Sequence, residues 1–214
     1  MTHPPPGKRP SCTRCLRPQS TCICHWIAPV APLVEVLVLQ HPLEVDNAKG
    51  SARLLHLSLH GSRMVTGEVF DGRLLLGVAD DEPVLPSPKY NILLYPDKPP
   101  EYAQGVPPPP AMAPDALTDP SQLRLIVLDG TWRKSRKMLY LNPLLHHMPR
   151  LSLQGLPESR YRIRKARHSD HLSTLEATCA ALAQLEGAGE KFQAVLEAFD
   201  GFVAQQLAYR TDHG

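Results

Sequence analysis

The sequence lacks the features that mark several common classes of protein. No apolar run approaches the roughly 20 residues needed to cross a membrane, and the basic segment at residues 1–10 is not followed by the apolar stretch of a secretion signal. No G-x-G-x-x-G or G-x-x-x-x-G-K phosphate-binding motif occurs either. We therefore expect a cytoplasmic protein that neither spans a membrane nor carries one of these phosphate loops.

Proline, by contrast, is abundant, and its 23 occurrences in 214 residues are roughly twice the usual share. Most of the excess lies at residues 4–10 and 96–120. Because proline cannot join a sheet ladder, we predict a loose tail for the first segment and a long surface loop for the second. The chain length suits one core domain with a small appendage.

Four of the five cysteines lie within 13 residues, with the spacing C-x2-C-x6-C-x-C. Two close pairs on turn-forming sequence bring four thiolates into a tetrahedron, the closed geometry of structural zinc. Disulfides are the alternative, which the reducing environment expected for this chain disfavours. We therefore predict that residues 1–30 form a tail and a zinc knuckle held by Cys12, Cys15, Cys22 and Cys24. Cys179 lies at helical spacing from Leu175 and Leu182 and is predicted to be a core residue.

The remainder of the chain alternates predicted strands with predicted helices, which favours an α/β fold with a largely parallel sheet. Ser173 and Glu176 have the spacing of a capping box, which predicts a helix start. The predicted strands are residues 34–40, 64–70, 91–95, 123–128 and 150–153. The predicted helices are residues 49–59, 131–141, the segment after 173 and the amphipathic segment 190–207.

Three unusual clusters follow predicted strands, where open α/β sheets bind their ligands. They are His41-Pro-Leu-Glu44, Leu94-Tyr95-Pro96 and Asp129-Gly130-Thr131-Trp132. Gly130 would permit a tight strand-to-helix turn. A purely structural interpretation stays open for each cluster: Asp129 or Thr131 as a helix cap, Trp132 as a core residue, and His41-Pro42 as a turn.

Basic residues are concentrated in one part of the chain. Between residues 133 and 170 there are ten lysines and arginines against two acids, whereas the remainder has a net charge of −6. In residues 159–168 basic side chains alternate with apolar ones, so Arg160, Arg162 and Arg164 share one face if that segment is extended. Such a face suits the phosphates of RNA; a charged edge strand that resists aggregation is the alternative.

Six short motifs occur in an order that spans residues 12 to about 185. They are Cys12-x-x-Cys15-x-Arg17-Pro18 with Cys22-x-Cys24, His41-Pro-x-Glu44, Leu94-Tyr-Pro96, Asp129-Gly-Thr-Trp132, Tyr161-x-Ile-Arg-Lys165 and Leu172-Ser-Thr-Leu-Glu-Ala177. Together they resemble the DTW-domain family, which is named for its D-x-T-W motif. The departures are an expanded proline-rich insert around residues 99–114 and Ser51, where threonine is equally expected.

The resemblance implies a tRNA-uridine aminocarboxypropyltransferase that uses S-adenosylmethionine and forms acp3U. It also implies that residues 31–210 form the catalytic domain, with a core like that of the trefoil-knotted SPOUT RNA methyltransferases. On this basis the cofactor-binding residues are predicted to be Leu94, Tyr95, Pro96, Gly130, Thr131, Trp132, Ser173 and Thr174. The RNA-binding residues are predicted to be His41, Glu44, Arg133, Arg136, Lys137, Arg160, Arg162, Arg164 and Lys165.

Aminocarboxypropyl transfer to uracil N3 requires that N3 lose its proton, and Asp129 in a partly desolvated pocket is our predicted base. Asp129 could instead only shape its loop. Two other functions stay open: a knotted RNA methyltransferase, and a non-catalytic zinc-knuckle protein that binds RNA. The expected partners are tRNA and S-adenosylmethionine, and either a monomer or a homodimer fits the sequence.

Overall fold

The computed structural model describes residues 10–78, 89–96, 108–153 and 172–211. These residues form a five-stranded sheet in the order β2-β1-β4-β3-β5, and every neighbouring pair is parallel. The strands are β1 (Glu35–Gln40), β2 (Arg63–Thr66), β3 (Tyr90–Leu94), β4 (Leu123–Asp129) and β5 (Arg150–Leu151). The predicted α/β class with a parallel sheet is confirmed.

Helices connect these strands and cover both faces of the sheet. The α-helices are α1 (Ala52–Ser58), α2 (Gly72–Leu76), α3 (Trp132–Leu141), α4 (Thr174–Glu186) and α5 (Gln193–Thr211). Single turns of 3-10 helix occur at Gln19–Thr21, Cys24–Trp26, Pro42–Glu44, Pro114–Thr118, Pro120–Gln122, Pro143–His147 and Gly189–Phe192.

Alternate residues of the central strands belong to two separate hydrophobic clusters. Val36 and Val38 face one cluster, which includes residues of α1, α4 and α5. Leu37 and Leu39 face the other, which includes residues of α2 and α3. A parallel sheet that is buried on both faces needs apolar residues at consecutive positions, which explains the continuous Val/Leu run of β1.

The C-terminal helices follow their sequence signals. Ser173 caps α4: its hydroxyl accepts from the Glu176 N–H, and the Glu176 carboxylate accepts from the Ser173 N–H. The predicted amphipathic segment begins as a 3-10 turn and continues as α5, with Phe192, Phe199 and Phe202 buried in the hydrophobic cluster that also contains Val36 and Val38. The capping box and the amphipathic face are both confirmed.

The predicted strand at residues 64–70 is wrong beyond Thr66. Gly67 donates to the Gln40 carbonyl and the chain then turns away from the sheet. The buried side chain of Asn142 holds this turn, because its oxygen accepts from the Phe70 N–H and its nitrogen donates to the Glu68 carbonyl. An apolar pattern in the sequence does not reveal a partner that lies more than 70 positions further along the chain.

Other element boundaries differ from the predictions by a few residues. Helix α1 begins at Ala52 rather than at residue 49, and β5 ends at Leu151 rather than at residue 153. Of the proline-rich loop, residues 97–107 lie outside the described residues. The predicted domain boundary at residue 30 stays a prediction. Within the described segments no helix combines the length and apolarity that a bilayer crossing requires.

Candidate functional site

The three clusters predicted from the sequence meet at one edge of the sheet. In the parallel register Gln40 pairs with Asp129, and Leu94 pairs with Val127 on the opposite side of β4. The carboxyl ends of β1, β3 and β4 therefore lie side by side, as is typical of ligand-binding edges in open α/β sheets. We call this region the carboxyl-edge site.

Asp129 is buried at the end of β4 and both of its carboxylate oxygens accept hydrogen bonds. Oδ2 accepts from Nε2 of Gln40 at 2.9 Å, and Oδ1 accepts from the Thr174 hydroxyl at 2.7 Å. Its backbone carbonyl also accepts from the His41 N–H. The carboxylate thus joins β1 and β4 to the start of α4, and it does not cap α3, whose N-cap residue is Thr131.

Gly130 and Thr131 form the turn between β4 and α3. Gly130 does not adopt a left-handed backbone conformation. The turn therefore does not depend on the backbone freedom of glycine, which was the reason for our prediction. A Cβ at Gly130 would instead stand 3.1 Å from the Lys134 Cβ, so the small residue permits close approach of the first turn of α3. Thr131 occupies the N-cap position without a capping hydrogen bond from its side chain.

Two aromatic side chains face each other across the carboxyl-edge site. Tyr95 is buried after β3, and its ring meets the ring of Trp132 edge-on with centroids 5.6 Å apart. The guanidinium of Arg150 lies 5.3 Å from the centroid of the Tyr95 ring and donates to the Pro96 carbonyl. Trp132 itself is 49% exposed, so it is not the core residue that the structural alternative required.

The start of α4 completes the site beside Asp129. Two of its first amide groups already have acceptors: the Leu175 N–H bonds the Ser51 hydroxyl and the Glu176 N–H bonds the Ser173 hydroxyl. The Thr174 N–H has no acceptor among the described residues. A ligand carboxylate at this helix start would therefore meet the Thr174 amide rather than a group of several amides.

Two ion pairs and one histidine–carboxylate hydrogen bond connect the loops after β1 and β2 with each other and with α3. His41 is only 3% exposed; its Nδ1 accepts from the Leu43 N–H, so its Nε2 carries a proton and meets Glu68 at 2.7 Å. Glu68 also pairs with Lys137 at 2.6 Å, and the Lys137 ammonium lowers the pKa of Glu68. Glu44 is buried and pairs with Lys134 at 2.8 Å.

These ion pairs divide the predicted RNA-binding residues into groups. His41 and Glu44 are buried, and Lys137 is half-exposed but held by Glu68. Arg133 and Arg136 are exposed on α3. That all five contact RNA stays a prediction. The predicted contacts at Arg160, Arg162, Arg164 and Lys165 lie outside the described residues.

A second candidate site is the four-cysteine cluster, and we call residues 10–26 the knuckle. All four sulfur atoms lie within 4.8 Å of one another, with Cys12 to Cys24 at 3.6 Å and Cys15 to Cys22 at 3.8 Å. Four thiolates around one zinc ion, at the usual Zn–S length, stand about 3.8 Å apart. The cluster therefore has the size and the donor set of a tetrahedral metal site.

The thiols of the cluster differ in acidity. Backbone N–H groups of Cys15 and Arg14 lower the pKa of Cys12 to about 6, whereas burial raises the pKa of Cys24 to about 12. Leu16 adopts a left-handed φ of 61° and donates its N–H to the Cys12 carbonyl, which closes the turn between the first two cysteines. Cys179 lies apart from them in the core, where burial raises its pKa to about 12, so its predicted core role is confirmed.

The knuckle packs against the C-terminal helix and the loop before α1. Trp26 lies over Gly201 of α5, where an added Cβ would stand 2.1 Å from the indole ring, and its Nε1 donates to Gln205. Arg17 donates to the carbonyls of Ala48 and Gly50 and lies over the Phe202 ring. The knuckle is thus joined to the loop that carries Ser51.

Several residues of the carboxyl-edge site were absent from the sequence predictions. The Gln40 side chain bonds Asp129, and Glu68 bonds His41. Asn142 holds the turn after β2, and the Arg150 guanidinium lies over the Tyr95 ring. The one available signal was Gln40, a polar residue that follows the apolar run Val-Leu-Val-Leu of β1. The other three have no local pattern that distinguishes them from surface residues.

Comparison with known proteins matches the DTW domain to residues 9–207, a range that includes both the knuckle and the carboxyl-edge site. The chain belongs to the DTW-domain family. The predicted resemblance is therefore confirmed over most of the chain. No solved structure matches it significantly.

Three curated relatives illustrate the similarity within the family. The tRNA-uridine aminocarboxypropyltransferase 2 of Drosophila melanogaster is 29% identical over 208 residues, which are 95% of this chain and 77% of that protein. The protein of the same name from Macaca fascicularis is 30% identical over 85% of this chain and 58% of its own length. The tRNA-uridine aminocarboxypropyltransferase A of Arabidopsis thaliana is 25% identical over 87% and 76%.

Proposed function

We propose that this protein transfers the 3-amino-3-carboxypropyl group of S-adenosylmethionine to N3 of a uridine in tRNA. The observation that carries the proposal is the Asp129-to-Trp132 turn of a DTW-domain chain, set at the carboxyl edge of the sheet between the Tyr95 turn and the start of α4. The names of the related transferases support the same activity.

In this reaction a bond forms between uracil N3 and the γ-carbon of the donor, and the bond from that carbon to sulfur breaks. The sulfur leaves as methylthioadenosine and the N3 proton must go to a base. The enzyme therefore has to present the γ-carbon, and not the methyl group, to the base of the nucleotide. This is chiefly a matter of positioning.

We assign the positioning of the donor to Tyr95, Trp132 and the backbone of Leu94 and Pro96. The edge-on pair of rings offers an apolar surface at the site, and about half of the Trp132 side chain is exposed there. Arg150 stabilises the position of Tyr95 from the other side of its ring. The donor carboxylate is assigned to the Thr174 amide at the start of α4, beside Ser173.

Asp129 is assigned the N3 proton. The Gln40 amide and the Thr174 hydroxyl hold its carboxylate in one orientation. A fixed carboxylate in a buried setting is suited to general-base catalysis, provided that the uridine comes within hydrogen-bond distance. The target uridine would have to be unstacked, which favours a loop of the tRNA.

We assign phosphate binding to the exposed arginines Arg133 and Arg136 together with Lys137, and to the basic segment at residues 160–165. The Lys134–Glu44 pair would hold α3 against the loop after β1, and Glu68 would connect Lys137 of α3 to His41. The basic surface and the site would then lie on the same element, since α3 begins at Trp132.

The proposal extends to zinc in the knuckle and to a SPOUT-like knotted core. Four thiolates at tetrahedral distances suit zinc, which would stabilise a segment too short to fold alone. All four ligand positions would be protein sulfur, so the metal would take no part in the transfer. The parallel five-stranded sheet is compatible with a SPOUT-like core, and an experimental structure that covers residues 154–171 tests for the knot.

Mass spectrometry of nucleosides tests the reaction. Purified protein is incubated with S-adenosylmethionine and unmodified tRNA transcripts, and the RNA is digested to nucleosides. We expect aminocarboxypropyl-uridine together with an equal amount of released methylthioadenosine. A methylated nucleoside would contradict the proposal in favour of a methyltransferase, and tRNA binding without any product would favour a non-catalytic binder.

A further inference from the structure

Gln40 is a buried polar residue at the end of a strand, where it follows four consecutive valine and leucine residues. It is the last residue of β1 and only 3% exposed. Its Nε2 donates to Oδ2 of Asp129 at 2.9 Å. No sequence pattern assigned it a role, and its place beside Asp129 comes entirely from the register of β1 and β4.

The orientation of the Gln40 amide is determined by its partner. A carboxylate only accepts hydrogen bonds, so the NH2 group must face Asp129 and the carbonyl oxygen must face elsewhere. That oxygen, Oε1, is buried and has no hydrogen-bond partner among the described residues. Among the described residues, the other buried side-chain atoms without a hydrogen-bond partner are all nitrogens. Oε1 of Gln40 is therefore the only acceptor oxygen among these unpartnered atoms.

A buried acceptor without a partner in a native protein requires an explanation, and at a ligand-binding edge that explanation is a donor on the ligand. The adjacent carboxylate makes this position electrically negative, which favours a cationic donor over a neutral one. Under the function proposed above, the uracil N3–H goes to Asp129, and the cationic N–H donor of S-adenosylmethionine is its α-ammonium group.

We propose that Gln40 is a donor-binding residue, whose Oε1 accepts a hydrogen bond from the α-ammonium of S-adenosylmethionine while its Nε2 holds Asp129 in place. This rests on the proposed function and deepens it. The geometry supports the pairing, since Thr174, whose amide is assigned the donor carboxylate, bonds the other oxygen of the same Asp129. The ammonium and carboxylate of one amino acid group would then lie across the Asp129 side chain.

Calorimetric titration with two probes tests this proposal without any catalysis. One probe is S-adenosylhomocysteine, and the other is its desamino analogue, which lacks only the α-amino group. We expect the wild-type protein to bind the first about tenfold more tightly, the usual effect of one hydrogen bond to a charged group. Gln40→Met should remove this difference, because methionine keeps the length of the side chain but has no oxygen acceptor.

Two further variants separate binding from folding. Gln40→Glu keeps an oxygen acceptor, and the proton that the adjacent Glu and Asp129 carboxyl groups share replaces the amide donor, so this variant should retain the preference for the amino group. Gln206→Met is the matched control, because Gln206 of α5 is also buried with an unpartnered atom but has no hydrogen bond to Asp129. It should bind both probes as the wild type does, and thermal melting of each variant reports its folding.

Several outcomes would overturn the proposal. Equal affinity of the wild-type protein for the two probes does so without any variant, and so does an undiminished preference in a folded Gln40→Met protein. If Gln40→Met fails to fold, loss of the preference in Gln40→Glu overturns it. Failure of the wild-type protein to bind S-adenosylhomocysteine, with no product in the nucleoside assay, would instead overturn the proposed function itself.

Discussion

The knuckle and the carboxyl-edge site differ in how far apart their residues lie in the chain. The knuckle brings four sulfurs together from 13 consecutive residues. The carboxyl-edge site joins Gln40 to Asp129 across 89 positions and Asp129 to Thr174 across 45. The first site therefore depends on a local turn and on the proposed metal, whereas the second depends on the register of the whole sheet. A substitution at Asp129 should accordingly leave the knuckle intact.

The largest expected effect is the loss of metal from the knuckle in Cys15→Ser. Structural zinc contributes on the order of 10 kcal/mol to the folding of comparable segments, so we expect metal content to fall from about one zinc per chain to none. Trp26 should then leave Gly201, which a change in tryptophan fluorescence would reveal. Elemental analysis of the purified protein measures the metal.

Cys179→Ala is the matched control for the cysteine substitution. Cys179 is buried in the core, away from the four-cysteine cluster, so its substitution should leave the metal content unchanged. Retention of zinc in Cys15→Ser, or its loss in Cys179→Ala, would contradict the assignment of the metal to the knuckle.

The next largest effect is expected for Asp129→Asn, which acts on the carboxyl-edge site alone. A general base contributes about 10²–10⁴-fold to a rate, so turnover should fall by that factor while zinc content stays at the wild-type level. Affinity for S-adenosylhomocysteine and for tRNA should remain largely intact. Single-turnover kinetics measure the rate, and retention of near-normal turnover would exclude the base role and leave Asp129 as a residue that shapes the loop.

A smaller effect distinguishes two neighbouring cations of α3. Arg133→Met should weaken tRNA binding and lower the slope of log affinity against log salt by about one, because one phosphate contact is lost. Lys134→Met should leave that slope unchanged but lower the melting temperature, because it removes the ammonium group that pairs with the buried Glu44 carboxylate. Binding assays at several salt concentrations and thermal melting provide the two readouts, and a reversed pattern would contradict the division of roles.

The smallest effect concerns pH and the ion pair below the site. The Lys137 ammonium lowers the pKa of Glu68 in the folded protein, so this pair stabilises the protein above the unfolded pKa, about 4.3. That contribution is lost as the pH falls through the lower, folded pKa. Glu68→Gln should therefore lose less stability than the wild type on acidification. Melting curves between pH 3 and 7 test this, with Glu190→Gln, an exposed carboxylate, as the control; parallel curves for the Glu68 variant and the wild type would refute it.

The predictions that were confirmed rest on short-range patterns. The strand predicted at residues 34–40 follows from a continuous apolar run, and the Ser173–Glu176 capping box follows from helix geometry. The prediction that failed, the strand beyond Thr66, failed because Asn142 redirects the chain there. Gly130 was predicted to matter for its backbone freedom, whereas the structure shows that its small size matters, because it permits the close approach of α3.

The sequence by itself determined the alternation of strands and helices, the cysteine cluster and the three clusters at the strand ends, because each depends on spacings of a few residues. Tertiary structure alone decided which side chains surround Asp129. The register that pairs Gln40 with Asp129, and the packing that brings Thr174 to the same carboxylate, depend on the burial of both sheet faces. That burial is a property of the assembled sheet and helices, and no segment of the chain contains it on its own.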